Sequence, residues 1–413
     1  MAKRRYGVGT IDERSENNFR LRYSIDGQRY SKTFSGTKAE ARKELRKLVQ
    51  SGDDGDHVEP TKITVGQWID QWLEAGAPGR RRKKVSQRTL ERYGQLLRTH
   101  VRPVLGHRLL QELKPSEIDR LYAAIAAAAK IAPRTQHHVH VVLGALLGTA
   151  ERKTLIAANP MIRVEQVPNP DGQISDEELT SDDDEIGEGL DEAGLTALVT
   201  GFRPSILYPI VALAAASGAR RNELLAFRWT DLNAEQKTLR IERAWEQTKK
   251  FGLRLKSPKT KRGLRTISLD DATVRMLLAE RERHLRIQAG IPDSADVDLS
   301  LIRLHPGALM FPAAPEKGEE FDFAKPRNPR NFSKEFARRA KLLGFGGTRF
   351  HDLRGIHATA LLDAGIPVHT VAQRIGDDPA VLLRNYAKRK RTKKADDNLA
   401  SAIGAFAASF LGS

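Results

Sequence analysis

The sequence contains no cysteine and no long hydrophobic run. The absence of cysteine among 413 residues excludes disulfide scaffolds, thiolate zinc fingers, iron–sulfur clusters and cysteine nucleophiles. No stretch reaches the ~18 apolar residues that a membrane-spanning helix needs. The basic start of the chain, residues 1–10, lacks the apolar segment of a secretory signal. We therefore expect a soluble, cytoplasmic protein that does not associate with membranes.

Positive charge dominates the composition. The chain has 69 Lys and Arg residues against 52 Asp and Glu residues, a formal net charge of +17. A charge of this sign and size favours a polyanion such as nucleic acid as the partner. The acidic residues are concentrated: twelve of them and no Lys or Arg lie between Glu165 and Glu192. We interpret residues 166–190 as an acidic linker, either a solvated spacer or a regulatory segment that mimics DNA.

The length and the turn formers suggest how the chain is divided. At ~100–200 residues per domain, 413 residues predict two or three domains. Turn-forming residues cluster between Ser51 and Pro60, which marks a second boundary in addition to the acidic linker. The predicted modules are residues 1–55, 60–165 and 191–413.

The amino-terminal module is predicted to be a small sheet with one helix. Period-two alternation predicts three strands, Tyr6–Ile11, Phe19–Ile25 and Arg29–Phe34. Asp26 and Gly27 are typical of a tight hairpin, and Thr37 is expected to cap a helix that runs to about Gln50. The solvent face, which suits a DNA groove or merely keeps the module soluble, is expected to carry four basic residues, Arg20, Arg22, Arg29 and Lys32.

The middle module is predicted to be helical throughout, from Thr64 to Ile162. Apolar residues recur at helical spacing in four segments, as in Val65, Trp68, Ile69 and Trp72. The pattern predicts a bundle of four or five amphipathic helices. A basic run between the first two helices suits a phosphate backbone, or is simply a solvated charge run: Arg80, Arg81, Arg82, Lys83 and Lys84.

Three motifs in the carboxyl-terminal module point to chemistry. In the first, a helix over residues 208–216 is expected to end at Gly218, and a second helix is expected to begin with Arg220 at its N-terminus. A backbone-presented arginine at this position is less mobile than one on an open surface. Glu223, three residues further, can hold the guanidinium group in place.

The second and third motifs supply further basic and nucleophilic groups. Alternation of Leu239, Ile241 and Trp245 predicts a strand of a small antiparallel sheet, followed by a basic loop that contains Lys259, Lys261 and Arg262. His351 and Arg354 are three residues apart, so they share a face of one predicted helix. Asp378 and Pro379 are expected to open a last helix that contains Tyr386.

Taken together, the motifs resemble those of the tyrosine recombinase (phage integrase) family: Gly-x-Arg-x-x-Glu, a lysine in a Pro-Lys-Thr loop, His-x-x-Arg, and a tyrosine about thirty residues later. The resemblance implies a multidomain fold with three parts. These are an arm-type DNA-binding domain with a three-stranded β-sheet and one helix (1–55), a SAM-like α-helical core-binding bundle (60–165), and a mainly α-helical catalytic domain with a small antiparallel β-sheet (191–413). It implies site-specific cutting and rejoining of DNA, without cofactor or metal.

Breaking a phosphodiester without metal requires a nucleophile, positive charge on the phosphate and a proton for the departing oxygen. A phenolate at Tyr386 would form a 3′-phosphotyrosyl ester, and Arg220 and Arg354 would clamp the non-bridging oxygens. By the resemblance, Lys259 would protonate the 5′-oxygen and His351 would assist proton transfer at Tyr386. Glu223 would then orient Arg220.

One position departs from the family pattern. The family usually has His or Trp nine residues before the tyrosine, and Asp377 stands there in this chain. An ionised carboxylate would repel the phosphate. Asp377 is therefore a substitution that is partnered by a neighbouring base, or a helix cap, or the sign of an impaired enzyme. The last reading gives the alternative function, a catalytically impaired DNA-binding regulator on the same scaffold.

The resemblance also implies partners. We expect double-stranded DNA at the attachment sites of a prophage or integrative element, a homotetramer on that DNA, directionality (excisionase) and DNA-bending factors, and a place near the nucleoid of a bacterial host. An apolar-rich helix over residues 399–411 is expected to dock on a neighbouring subunit, as such tails do in the family, or to pack on its own domain. Three closely spaced histidines, His137, His138 and His140, are interpreted as structural, because no nearby acid completes a metal site.

Overall fold

The chain forms two compact units, residues 1–181 and 182–413. The computed structural model describes residues 9–25, 27–53, 58–79, 84–128, 131–168, 190–257, 263–316 and 318–389. The predicted tail helix at 399–411 and most of the acidic linker lie outside these ranges. Within the described ranges, no helix is both long enough and apolar enough to cross a membrane.

The first unit begins with a three-stranded antiparallel sheet in the order β1-β2-β3, covered on one side by a helix. Its elements are β1 (Thr10–Ser15), β2 (Asn18–Ile25), β3 (Gln28–Ser35) and α1 (Lys38–Asp53). The predicted alternation is confirmed, because Phe19, Leu21 and Tyr23 are all buried against the helix. Thr37 caps α1 as expected, accepting a hydrogen bond from the Glu40 amide.

The first strand lies further along the chain than predicted. We expected Tyr6–Ile11, of which residues 6–8 lie outside the described part, but β1 continues to Ser15. Asn17 adopts a left-handed backbone (φ 59°), which lets the chain turn tightly from β1 into β2. Backbone pairing to β2 thus holds the polar stretch at the end of β1, which has no apolar pattern to reveal it.

The expected basic face holds three of its four residues. Arg20, Arg22 and Arg29 lie on the side of the sheet opposite α1. The prediction for Lys32 is wrong: it pairs across the strands with buried Leu21, and its Nζ lies 2.8 Å from Glu44 of α1. The period of two explains this, since Lys32 shares its face with the half-buried Tyr30.

The rest of the first unit is the predicted helical module. Its helices are α2 (Val65–Glu74), α3 (Gln87–Leu96), α4 (Arg102–Leu105), α5 (Pro115–Ala127) and α6 (Pro133–Arg152). A π-helical turn (Leu97–Val101) joins α3 to α4. Val65, Trp68, Ile69 and Trp72 are buried in one core, as their spacing predicts.

The three clustered histidines have structural surroundings. Tyr122 Oη lies 3.0 Å from His140 Nδ1, and His137 Nδ1 lies 2.7 Å from the Pro168 carbonyl oxygen. Burial lowers the pKa of His138 to about 4, so its ring is neutral in the core at neutral pH. Within the described residues, no group of three or more His, Asp and Glu side chains is placed to hold a metal ion.

The second unit is mainly helical with two small sheets. Its helices are α7 (Glu192–Gly201), α8 (Tyr208–Ser217), α9 (Arg221–Leu224), α10 (Asp271–Ala289), α11 (Pro329–Leu342), α12 (Asp352–Asp363), α13 (Val368–Ile375) and α14 (Pro379–Arg389). Its strands are β4 (Leu232–Asn233), β5 (Thr238–Ile241), β6 (Ala244–Thr248), β7 (Gly252–Lys256) and β8 (Arg265–Ser268). A large core packs α7, α8, α10 and α11, where Phe202 stacks on Phe336.

One predicted strand is two. We expected Leu239, Ile241 and Trp245 on a single strand, but the chain leaves the sheet β4-β5-β8 after Ile241 and begins the hairpin β6-β7 at Ala244. The alternation continues through the break, because both strands bury apolar side chains. A small separate cluster packs α12, α13 and α14 together through Ala358, Val371 and Leu382.

Candidate active site

Arg220 is presented by a helix start, as the sequence predicts. Gly218 ends α8 in a left-handed conformation (φ 62°), and Arg220 is the N-cap of α9. The Arg220 amide donates to Glu223 Oε2 at 2.9 Å, and its Nη1 donates to Glu223 Oε1 at 3.2 Å. One buried carboxylate therefore fixes both the backbone and the guanidinium group of Arg220.

Arg265, which the sequence analysis did not single out, completes this arrangement. Arg265 Nη2 lies 2.9 Å from Glu223 Oε2, and both side chains are almost fully buried, at 5% and 3% exposure. Burial alone would raise the pKa of Glu223, but Arg265 and Arg220 outweigh it and hold the pKa below its ordinary value. The period of β8 carries a signal for this residue, because Arg265 shares a strand face with buried Ile267.

Arg354 lies at the start of α12 and is 5% exposed. Its Nη1 donates to two backbone carbonyl oxygens, of Gly218 at 2.8 Å and of Ile375 at 2.7 Å. Burial lowers its pKa to about 10, which leaves the guanidinium group charged at neutral pH. The ends of α8 and α13 thus position this charge.

Asp377 joins the two arginines. Its Oδ1 lies 2.5 Å from Arg220 Nη2, and its Oδ2 lies 2.6 Å from Arg354 Nη2. Burial alone would raise the pKa of Asp377, but Arg354 and Arg220 outweigh it and hold the pKa below its ordinary value, with a smaller contribution from His351. Asp377 is therefore an ionised carboxylate between two guanidinium groups.

These contacts decide two of the three readings of Asp377. The expectation of a neighbouring basic partner is confirmed, and the partners are two arginines rather than one basic residue. The expectation of a helix cap is wrong: Asp378 Oδ1 accepts the Ala380 amide at 2.9 Å and caps α14 instead. The geometry assigns the cap to Asp378 because it directly precedes Pro379 at the first helical position.

His351 is the N-cap residue of α12, three residues before Arg354. A second histidine, His357, contacts the end of α8 and Arg374. Its Nδ1 lies 2.9 Å from the Ala215 carbonyl oxygen, and Arg374 Nε donates to its Nε2 at 3.1 Å. Burial lowers the pKa of His357 to about 4, so this ring is neutral at neutral pH.

The structure does not bring Tyr386 to the arginines. The Tyr386 hydroxyl donates to Asp363 Oδ1 at 2.8 Å. Asp363 ends α12 and lies nine residues after Arg354, which is about 13 Å along the helix axis. The phenol is therefore held at the opposite end of α12 from the arginine pair.

Several predicted basic residues lie outside the described part of the chain: Lys259, Lys261, Arg262, Arg80, Arg81, Arg82 and Lys83. Of the basic run in the helical module, Lys84 is described and is exposed. The described strand before the Lys259 loop, β7, ends at Lys256, whose Nζ lies 3.0 Å from Glu246 Oε1.

Comparison with known proteins identifies the family. Residues 204–392 match the model of the phage integrase family, and residues 64–125 match the model of the phage integrase N-terminal SAM-like domain. Together the two matches cover more than half of the chain. The chain belongs to the phage integrase family.

Relatives match over nearly the whole length. An integrase of Streptomyces ambofaciens is 26% identical over 410 residues, which cover 95% of each chain. A putative prophage phiRv2 integrase of Mycobacterium tuberculosis is 23% identical, with 93% of this chain matched to 92% of that protein. A tyrosine recombinase XerC-like protein of Caldanaerobacter subterraneus is 25% identical, with 85% of this chain matched to 86% of that protein.

Solved structures show the same fold. The Tn1549 transposon integrase in complex with a circular intermediate DNA has a TM-score of 0.59 at 17% identity, over 83% of this chain and 99% of that one. A lambda integrase dimer bound to a COC′ core site has a TM-score of 0.53 at 16% identity, over 95% of this chain and 98% of that one. The fold is thus an integrase fold with an amino-terminal sheet, a SAM-like module and a mainly helical catalytic unit.

Proposed function

We propose that this chain, a site-specific DNA recombinase, cuts and rejoins DNA through a 3′-phosphotyrosyl ester on Tyr386. One observation carries the assignment of the site. Arg220 and Arg354, which are far apart in sequence, present their guanidinium groups to one small anion, at 2.5 and 2.6 Å from the two carboxylate oxygens of Asp377. Two guanidinium groups in this arrangement suit the two non-bridging oxygens of a phosphodiester.

The reaction is a pair of transesterifications. The Tyr386 oxygen attacks the phosphorus, the bond to the 5′-oxygen breaks, and the ester conserves the bond energy for the reverse attack by a 5′-hydroxyl. Arg220 and Arg354 stabilise the charge that develops on the non-bridging oxygens. Lys259 donates a proton to the departing 5′-oxygen, and His351 assists proton transfer at the phenol. These residues supply the charge and the protons, so the proposal uses no metal or nucleotide.

The nucleophile must move before it can react. The Tyr386 phenol now donates to Asp363, while the arginine pair lies towards the other end of α12. α14 begins after Asp378, so a change in the backbone at this residue would carry Tyr386 away from Asp363. The tyrosine then reaches a phosphate in its own subunit or in a neighbouring subunit of the proposed tetramer.

The assignment can be tested by mapping the covalent junction. Incubating the protein with host and element DNA is expected to yield a covalent adduct that a protease converts to a peptide on a DNA 3′ end. Mass spectrometry should place the phosphate on Tyr386, and sequencing of the junction should define the attachment site. An adduct on a serine, or no adduct with any DNA that the protein recombines, would contradict the proposal.

The amino-terminal sheet is proposed to bind arm-type DNA. Arg20, Arg22 and Arg29 lie on the face that α1 does not cover. Their neighbours there include Ser31, Thr33 and Asp12, whose carboxylate lies 2.7 Å from Arg22 Nη2. A sheet face that carries three arginines can follow a DNA groove, and each phosphate contact releases counterions. We place the domain boundaries at 1–55, 60–165 and 191–413, with the acidic linker between the last two.

Removing the three arginines should weaken arm binding in a salt-dependent way. For the triple substitution Arg20→Ala, Arg22→Ala and Arg29→Ala we expect the slope of log K against log salt to fall by about 3. Lys32→Ala is the matched control, because Lys32 lies on the opposite face and pairs with Glu44. Fluorescence anisotropy over a salt series measures both slopes. Equal slopes for the two variants would remove the sheet from the DNA interface.

The remaining partners follow from the same proposal. A recombinase that exchanges strands between two duplexes needs four cleavage sites, which favours a homotetramer on DNA. A lambda integrase tetramer bound to a Holliday junction has the same fold, with a TM-score of 0.54. We also propose directionality (excisionase) and DNA-bending factors as partners, and the cytoplasm of a bacterial host as the location.

A further inference from the structure

Asp377 lies where the proposed chemistry needs a phosphate. Its two oxygens face one guanidinium group each, which is the way a phosphodiester would present its non-bridging oxygens to Arg220 and Arg354. We call the space between the guanidinium groups of Arg220 and Arg354 the phosphate seat. The Asp377 side chain that occupies it is 25% exposed, so the seat is open to solvent on one side. A carboxylate and a phosphate cannot both occupy this seat without repulsion between their charges.

We propose that Asp377 is a displaceable internal anion, which fills the phosphate seat between Arg220 and Arg354 until DNA replaces it. The inference rests on the proposed function for the identity of the displacing group. It assigns Asp377 a gating role in phosphate binding, distinct from that of a residue that donates a hydrogen bond to the phosphate.

The arginines do not depend on Asp377 for their positions. Arg220 is also held by Glu223 and by the Gly376 carbonyl oxygen, which accepts from its Nη2 at 2.9 Å. Arg354 is also held through Nη1 by two carbonyl oxygens. The seat therefore keeps its form when the carboxylate leaves, and the cost of leaving is mainly the loss of the ion pairs.

Arg354 Nη2 is a buried donor that needs a charged partner. It lies 2.6 Å from Asp377 Oδ2, and this ion pair helps to hold the pKa of Asp377 below its ordinary value. A phosphate oxygen in the place of Oδ2 would meet the same N–H. The exchange of one anion for the other therefore replaces one charged partner of Arg354 with another.

The backbone allows the side chain to leave by rotation. Gly376 ends α13 in a left-handed conformation (φ 73°), and the Asp377 amide donates to the Ala372 carbonyl oxygen at 2.9 Å. These bonds fix the Asp377 backbone at the end of the helix. Displacement of the carboxylate therefore needs a change of side-chain rotamer towards solvent and no unfolding of α13.

Asp377→Asn tests the proposal in the full-length protein with inorganic phosphate as the probe. The substitution removes the competing charge and keeps the shape of the side chain. We expect the phosphate concentration that gives half-maximal thermal stabilisation, at constant ionic strength, to fall about tenfold. Asp378→Asn is the matched control, because it removes the same charge from the next residue in the chain. Asp378 caps α14, and asparagine caps a helix equally well. We expect this control to behave as the unmodified protein.

A second measurement follows the chemistry. On a nicked duplex that carries the mapped junction, at subsaturating DNA, Asp377→Asn is expected to form adducts about tenfold faster than the unmodified protein. Asp377→His, which restores a residue usual in the family, should also be faster and serves if the Asn variant does not fold. Both variants become slower and bind phosphate more weakly if Asp377 instead supports the arginines, and that result overturns the inference.

The two measurements separate this inference from the proposed function. Tighter phosphate binding by Asp377→Asn without any adduct from the unmodified protein would refute the recombinase mechanism and leave the gate standing. Adducts from the unmodified protein with unchanged or weaker phosphate binding by Asp377→Asn would refute the gate and leave the mechanism standing.

Discussion

Tyr386→Phe is expected to abolish covalent protein–DNA adducts and strand exchange. The phenyl ring has no oxygen to attack phosphorus, so the first transesterification cannot begin. Loss of a nucleophile lowers rates by about four orders of magnitude or more, which would place adducts below detection on a denaturing gel. The lost hydrogen bond to Asp363 is exposed, so we expect a change of less than about 1 kcal/mol in the free energy of unfolding.

The matched control is Tyr208→Phe, which removes a hydroxyl from a half-buried tyrosine of the same unit. We expect normal adduct yields from this variant. Both proteins should bind the attachment-site duplex with equal affinity in a mobility-shift assay. Adducts from Tyr386→Phe at a yield similar to that of Tyr208→Phe would show that another residue is the nucleophile.

Arg354→Lys is expected to slow adduct formation by about two to three orders of magnitude. Lysine keeps the charge but cannot supply the fork that reaches two carbonyl oxygens and an anion together. A single transition-state donor is worth roughly 3–4 kcal/mol. Because Arg354 is 5% exposed, we also expect about 1–3 kcal/mol lower stability from the carbonyl groups of Gly218 and Ile375 left without a donor.

Stability and catalysis can be measured apart for this variant. Urea unfolding gives the free energy of unfolding, and single-turnover cleavage at a temperature well below the melting transition gives the rate. Arg338→Lys is the matched control, since Arg338 pairs with Glu335 on the surface of α11 and is 59% exposed. A cleavage rate for Arg354→Lys within threefold of that control would remove Arg354 from the phosphate clamp.

Local patterns predicted most of the elements and the arginine pair. The spacing of Trp68 and Trp72 and the alternation of Phe19 and Leu21 report burial directly, because a helix or strand repeats its environment along the chain. The helix end at Gly218 likewise follows from short-range backbone geometry. The same reasoning, applied to the face that Lys32 shares with Tyr30, would have placed Lys32 correctly.

Contacts between distant segments could not be predicted in this way. Nothing near Asp377 in the sequence indicates that Arg220, 157 residues earlier, supplies its partner. The hydrogen bond from Tyr386 to Asp363 and the burial of Arg265 against Glu223 depend in the same way on how separate helices and strands pack. Sequence spacing indicated which residues take part, and the tertiary packing determines their present contacts.

Gly218 shows how a residue without a side chain sets the position of a charge. A Cβ atom at this position would lie 2.6 Å from His357 Cδ2, and the backbone there has a positive φ of 62°. The carbonyl group of this glycine receives Arg354 Nη1. A methyl group at position 218 would therefore push the imidazole and the carbonyl apart and tilt the guanidinium plane of Arg354. The orientation of this charge thus depends on residue 218 having only a hydrogen atom where other residues carry a side chain.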